Sequence, residues 1–149
     1  MRFTDGLWES RNGYKLHRAH SLWEWRAEDK QVHFMVPCTE IRSLRDTISG
    51  PVLHFTITAP RKDILAVKVY HFTGKKERGP VFDLDVSYID TQVCETEQEI
   101  LITNGKMKAV VSKTGDFGIA FYYDGRFLTK CGEKGTAYVT DAEYEADKL

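Results

Sequence analysis

From position 23 onward the chain alternates apolar and polar residues in short runs, and each run ends near Gly, Pro, Asn or Asp. Successive side chains of a strand point to opposite faces, so this rhythm predicts an all-β protein of short strands and tight turns, the layout of a sandwich. Ser21 to Arg26 sets Leu22 on one face and Trp23 and Trp25 on the other, and Val32 to Pro37 follows a turn at Asp29 and Lys30. Leu53, Phe55, Ile57 and Ala59 share a face opposite His54, Thr56 and Thr58. Pro60 has no amide proton and is expected to end that ladder. Beyond the Arg61-Lys62-Asp63 turn, Leu65, Val67 and Val69 alternate with Ala66, Lys68 and Tyr70, which predicts a hairpin with the preceding strand.

The second half repeats the pattern. Ile100 and Ile102 lead to Asn104-Gly105, a dipeptide that accepts the positive φ angles of a two-residue hairpin turn, and Met107, Ala109 and Val111 continue beyond it. Phe117, Ile119, Phe121 and Tyr123 form another strand, which Asp124-Gly125 turns back into Phe127 to Cys131. Phe55, Ile57, Val67, Val69, Ile119 and Phe121 are the expected core. Gly74 to Pro80 reads as a charged loop, and Val81 to Glu99 is so acidic that only fragments of it are expected as strand. Between Cys38 and Ile48 the sequence leaves two readings open: Ile41, Leu44 and Ile48 keep a helical spacing, while Pro37 before and Gly50-Pro51 after suit a connection. Residues 1–141 are read as one domain and 142–149 as a tail or cut linker, since that end holds few large apolar groups.

Composition agrees with the pattern. Valine, isoleucine and threonine number 32 against 9 alanines in 149 residues, and β-branched side chains suit a pleated surface. With 42% hydrophobic residues the chain can fill one core. The 21 basic and 22 acidic residues cancel, which leaves no global field for a nucleic acid or an anionic bilayer. No run approaches the roughly 20 apolar residues of a membrane span. Cys38, Cys94 and Cys131 are far apart and odd in number, and are read as reduced thiols of a cytoplasmic protein.

Candidate chemistry is thin. There is no G-x-S-x-G elbow, and Gly74-x-x-x-x-Gly79 is followed by Pro80 where a phosphate loop requires Lys and then Ser or Thr. His17, His20, His33, His54 and His71 share no metal-binding spacing beyond the loose His17/His20 pair, so no metal or cofactor is expected. Asp83 and Asp85 form a D-x-D that reads first as a solvated strand edge. Trp8, Trp23, Trp25, Tyr122 and Tyr123 could stack on sugar rings, although packing explains most aromatics in a sandwich.

Three blocks of sequence carry a resemblance. The opening has Arg2, Asp5-Gly6-x-Trp8, Asn12-Gly13 and Leu22; a middle block runs Val69-Tyr70-His71-Phe72-Thr73-Gly74 and then Gly79-Pro80. The last joins Asn104-Gly105-Lys106, Val110-Val111-Ser112-Lys113 and Asp124-Gly125-Arg126. Together they resemble the N-terminal region of glycoside hydrolase family 31, of the bacterial α-xylosidase and α-glucosidase type. The resemblance implies a galactose-mutarotase-like β-sandwich that packs on a (β/α)₈ barrel. That barrel would hold both catalytic carboxylates, so no catalytic residue is assigned to these 149 positions. The implied parent is a cytoplasmic retaining glycosidase acting on terminal α-xylosides or α-glucosides. The implied partners of the sandwich are its own barrel and further copies of the parent in a homo-oligomer, through Trp8, Phe72, Gly79, Pro80 and Phe82. A free-standing carbohydrate-binding module is the alternative.

Overall fold

Positive-φ turns and period-two alternation set the architecture of this chain. The computed structural model describes residues 10–43, 45–46, 50–71, 88–132 and 134–141. These residues form β1 (Tyr14–Arg18), β2 (Glu24–Glu28), β3 (Gln31–Pro37), β4 (Val52–Arg61), β5 (Ile64–Tyr70), β6 (Gln92–Glu95), β7 (Glu99–Asn104), β8 (Met107–Ser112), β9 (Ile119–Tyr123), β10 (Arg126–Cys131) and β11 (Ala137–Asp141). One sheet has the order β2-β3-β4-β5 and a second the order β10-β9-β8-β7-β6, while β1 and β11 pair as a separate ribbon. All pairings are antiparallel. Within each of the two larger sheets, neighbours in space are neighbours in sequence, joined by short turns except for the longer connection over 38–51 between β3 and β4. Asp29 and Lys30 both take positive φ (45° and 64°) to turn β2 into β3, and Asp124 and Gly125 do the same between β9 and β10.

The inner faces of the two sheets make one core. Val32, Phe34 and Val36 of β3 and Leu53, Phe55, Ile57 and Ala59 of β4 meet Ile100 and Ile102 of β7, Ala109 and Val111 of β8, and Ile119 of β9, all buried. Phe117, in the loop before β9, packs its ring against Phe55 at 4.7 Å between centroids. Phe55, Ile57 and Ile119 thus sit where alternation placed them, and Phe121 packs partly buried against the core. Val67 and Val69 do not. Their backbone register places them opposite Ile57 and Phe55, on the inner face, yet they are 38% and 40% exposed. Alternation chooses the face and says nothing of how far the opposing layer reaches. β5 lies at the end of its sheet, and only Leu65 packs against the core.

Three other features depart from the sequence reading, and a fourth settles one of its two open alternatives. Pro60 does not end β4, because the pairing with β5 shifts register between Thr58 and Arg61, and an irregular position needs no ladder hydrogen bond from proline. The first strand of its sheet runs Glu24–Glu28, leaving Trp23 outside it and 55% exposed. Strands β1 and β11 lie outside the strands read from the sequence, although Tyr14 and Leu16 of β1 alternate with Lys15 and His17. The Cys38–Ile48 segment, where described, is a connection with a single turn: the Asp46 carboxylate accepts from the backbone N–H groups of Arg42 (3.0 Å) and Ser43 (2.7 Å). No α-helix occurs among the described residues.

The β7–β8 turn also differs. Its two turn residues are Gly105 and Lys106, with Gly105 alone at positive φ (60°), and Asn104 pairs across to Met107 as the last residue of β7. Asn104 is buried, and its side-chain amide donates to the carbonyls of Arg61 (2.7 Å) and Ile64 (3.0 Å) in the β4–β5 turn. Asp63 of that same turn accepts from the Lys106 backbone N–H at 2.5 Å. The two sheets are therefore tied together turn to turn at this end. A methyl group on Gly105 would land on the Asp63 carboxylate. At the other end Trp25 Nε1 of β2 donates to Glu95 of β6 at 3.3 Å, and Lys113 Nζ donates to the same carboxylate oxygen at 2.5 Å.

Two outcomes test this layout. Ile57→Ala should lower unfolding stability by about 2–5 kcal/mol in urea titrations, as for a buried aliphatic truncated in a packed core. Val67→Ala, on the same face, should cost no more than about 1 kcal/mol. Asn104→Ala should cost about 1–3 kcal/mol, because it removes the two hydrogen bonds that the buried Asn104 amide makes to the β4–β5 turn. An Asn104→Ala chain with an unchanged midpoint would show that the turn-to-turn tie carries no stability.

Candidate functional site

The outer face of the four-stranded sheet collects side chains that the sequence scattered. Pairing register sets Glu24, Met35, His54 and Tyr70 in one row across β2, β3, β4 and β5, and Arg26, His33, Thr56 and Lys68 in the next. These positions alternate with the core residues and so face away from the sandwich interior. His54 and Tyr70 stack, ring centroids 5.3 Å apart and planes 16° from parallel. His33 Nδ1 lies 3.2 Å from the hydroxyl of Thr56, which its neighbours bury to 8% exposure. Between the rows is a hollow of about 130 Å³, lined by Glu24, Arg26, His33, Met35, His54 and Tyr70, while the side chain of Trp25 between them points inward onto the core. Phe34 and Phe55 line it too. Their side chains are in the core, so their backbone is the floor.

Electrostatics keep this hollow close to neutral. Burial, with a smaller contribution from the charge of His71, lowers the pKa of His54 below the ordinary histidine value. His71 Nδ1 sits 2.9 Å from the carbonyl of Val52, a distance at which the ring N–H donates. Arg26 Nε lies 3.7 Å from the Glu28 carboxylate, with both side chains mostly in solvent. Among the described residues no group of three or more His, Cys, Asp or Glu is disposed to hold a metal ion.

Other parts of the surface offer less. A wider depression of about 540 Å³ where β1 meets the sandwich is lined by Lys15, Arg18, His20, Cys38 and Asp116 among others. Ser10 at its rim adjoins positions outside the described residues, so its boundary is not closed by them. Burial raises the Cys38 thiol to about 11, which makes it a poor nucleophile at neutral pH. The outer face of the five-stranded sheet carries a row of Cys94, Leu101, Val110 and Ala120, flanked by Tyr122 with Lys108 over its ring at 5.0 Å.

The residues singled out from the sequence fare unevenly. Trp8, Phe72, Gly79, Pro80 and Phe82 lie outside the described residues, as do Asp83 and Asp85. The aromatic candidates among the described residues form no common platform: Trp23 and Trp25 belong to the β2 region, whereas Tyr122 and Tyr123 sit on β9 in the other sheet and on opposite faces of it. His17 is occupied with the Thr140 hydroxyl at 3.1 Å, and His71 packs on the ring of Tyr138 at 4.6 Å. The hollow itself escaped the sequence reading. Its signal was present, since His33 and His54 both occupy the polar phase of clearly alternating strands, but only the β3–β4 register shows that they are neighbours.

His54 provides a direct check. Because its folded pKa lies below the unfolded value, the unfolded chain binds more protons between the two, so this residue's contribution to stability is complete above the unfolded pKa and falls as pH drops through that window. Proton NMR of the imidazole should show His54 titrating below a free histidine, and His71→Gln should move it upward. A His54 that titrates at the free value would contradict the burial described here.

Comparison with known proteins adds an independent line. No family model matches the chain. It is similar to alpha-xylosidase XylQ of Lactiplantibacillus pentosus, 24% identical over 153 aligned residues that take in 100% of this chain and 20% of that protein. It is also similar to an alpha-xylosidase of Emericella nidulans, 24% identical over 109 residues, or 72% of this chain and 14% of the relative. The chain thus spans a fifth or less of the curated relatives it matches.

Proposed function

From a homologue of alpha-xylosidases that answers to one segment of them, we propose a non-catalytic β-sandwich domain of a longer retaining glycosidase. The observation that carries this reading is the match itself, which takes in the whole of this chain and 20% of XylQ. The sandwich described above agrees with the N-terminal domain of glycoside hydrolase family 31, whose galactose-mutarotase-like fold packs on a catalytic (β/α)₈ barrel. In this reading the parent acts on terminal α-xylosides or α-glucosides in the cytoplasm, where three separated thiols fit a reducing compartment.

Retaining hydrolysis supports assigning the chemistry elsewhere. It needs two carboxyl groups about 5–5.5 Å apart across the scissile bond. The outer-face hollow has a single carboxylate, Glu24, among its lining residues. The role left for the sandwich is architectural: to support the barrel and to contribute contacts between subunits. The apolar row Leu101, Val110 and Ala120 favours that role, because the outer face of a sheet left in solvent is usually polar. Turnover of p-nitrophenyl α-D-xyloside is the test. The 149-residue chain alone should give none, and the full-length protein that carries it should hydrolyse the substrate with retention. Activity in the isolated chain that survives a contaminant control, or a full-length protein inert on α-xylosides and α-glucosides alike, would overturn the reading.

A further inference from the structure

Four strands converge on the outer-face hollow, and its lining narrows the ligand by chemistry. It combines one carboxylate, one guanidinium, two imidazoles, a thioether and a phenol, from Glu24, Arg26, His33, His54, Met35 and Tyr70. The single formal negative and positive charges cancel, so neither an anion nor a cation meets a net field. An apolar ligand would bury these polar groups without partners, which is costly. A metal ion lacks a set of three ligands among the described residues. What the lining matches is a neutral molecule rich in hydroxyl groups. A hydroxyl both donates and accepts, so it can give to a carboxylate, take from a guanidinium and do either with a neutral imidazole.

Shape restricts the choice further. His54 and Tyr70 stack on each other and each keeps one outer ring face, of the kind on which the C–H face of a sugar ring packs. At about 130 Å³ the hollow is well below the roughly 300 Å³ at which drug-sized sites begin. It has room for one ring and no more. The contributing residues stand on paired strands, so the arrangement is built into the sheet before any ligand arrives. We propose that this hollow is a non-catalytic binding site for a single pyranose ring, either a free pentose or hexose or the terminal unit of a glycan. With one carboxylate it holds the sugar and cannot cleave it by the paired-carboxylate route. The proposal depends on the glycosidase reading only for the sugars chosen as probes.

The test is titration of the 149-residue chain with D-xylose, methyl α-D-xyloside and D-glucose, followed by amide chemical shifts. Erythritol serves as an open-chain polyol control and inorganic phosphate as the anion control. The expected result is a saturable change with the cyclic sugars, centred on Glu24, His33, His54 and Tyr70, and none with phosphate or erythritol. Tyr70→Phe keeps the ring stack and should retain binding, whereas His54→Ala should weaken it about tenfold by removing the stack and one hydrogen-bonding group. Should His54→Ala fail to fold by circular dichroism, Glu24→Gln on the short strand β2 replaces it, with a loss of several-fold expected. Changes that do not saturate, equal responses to phosphate, or undiminished affinity in a folded His54→Ala or Glu24→Gln chain would overturn the proposal. Its failure is distinguishable from failure of the glycosidase reading, since one is read from sugar binding by this chain and the other from turnover by the full-length protein.

Discussion

Two apolar sheet faces in contact are the condition on which the rest of this molecule depends. Phe34, Phe55 and Ile57 from one sheet and Ile100, Ile102 and Val111 from the other are each 1% exposed or less. Burial of such side chains is worth about 1.5–3 kcal/mol apiece, and an antiparallel sheet standing alone could bury neither face. Contact of this kind is non-directional and would tolerate sliding of one sheet over the other. Register between the layers is set instead by polar ties at the edges: Asn104 and Asp63 join the β4–β5 and β7–β8 turns, and Trp25 and Lys113 meet on Glu95 at the far end. Hydrophobic burial brings the sheets together and directional hydrogen bonds fix where they stop.

The inner face was legible in the sequence because a half-buried strand must alternate. Leu53, Phe55, Ile57 and Ala59 could be assigned to one side without knowing any neighbour. Extent was not legible. Val67 and Val69 obey the same alternation and remain partly in solvent, since the position of β5 at the end of its sheet follows from topology that no local pattern encodes. Asn104 shows a second limit. As part of an Asn-Gly pair it reads as a turn residue, yet the chain uses its amide to reach two carbonyls about 40 positions away in sequence, and the turn moves on by one residue. The ribbon of β1 and β11 escaped the reading: Tyr14 and Leu16 alternate with Lys15 and His17, but the run is short and its pairing with Ala137–Asp141 has no local signature.

The same division holds for the candidate site. The imidazoles of His33 and His54 stand on the polar phase of their strands, where sequence favours unremarkable solvated histidines. Only the pairing of four strands turns them, with Glu24, Arg26 and Tyr70, into a neutral hollow of defined size. The family resemblance, by contrast, was carried by short motifs such as Asp5-Gly6, Gly79-Pro80 and Asp124-Gly125, and the likeness to two alpha-xylosidases agrees with it. The two outer sheet faces differ, one polar around the hollow and one with the apolar row Leu101, Val110 and Ala120.

Native-state hydrogen exchange measured residue by residue tests the central claim that the two sheets form one cooperative unit. The account predicts that the inner-strand amides of Phe55 and Ile57 in β4 and of Ile102 and Val111 in β7 and β8 are the slowest to exchange, and that they share one opening free energy equal to that of global unfolding. Separate opening free energies for the two sheets, with one exchanging while the other stays protected, would contradict it.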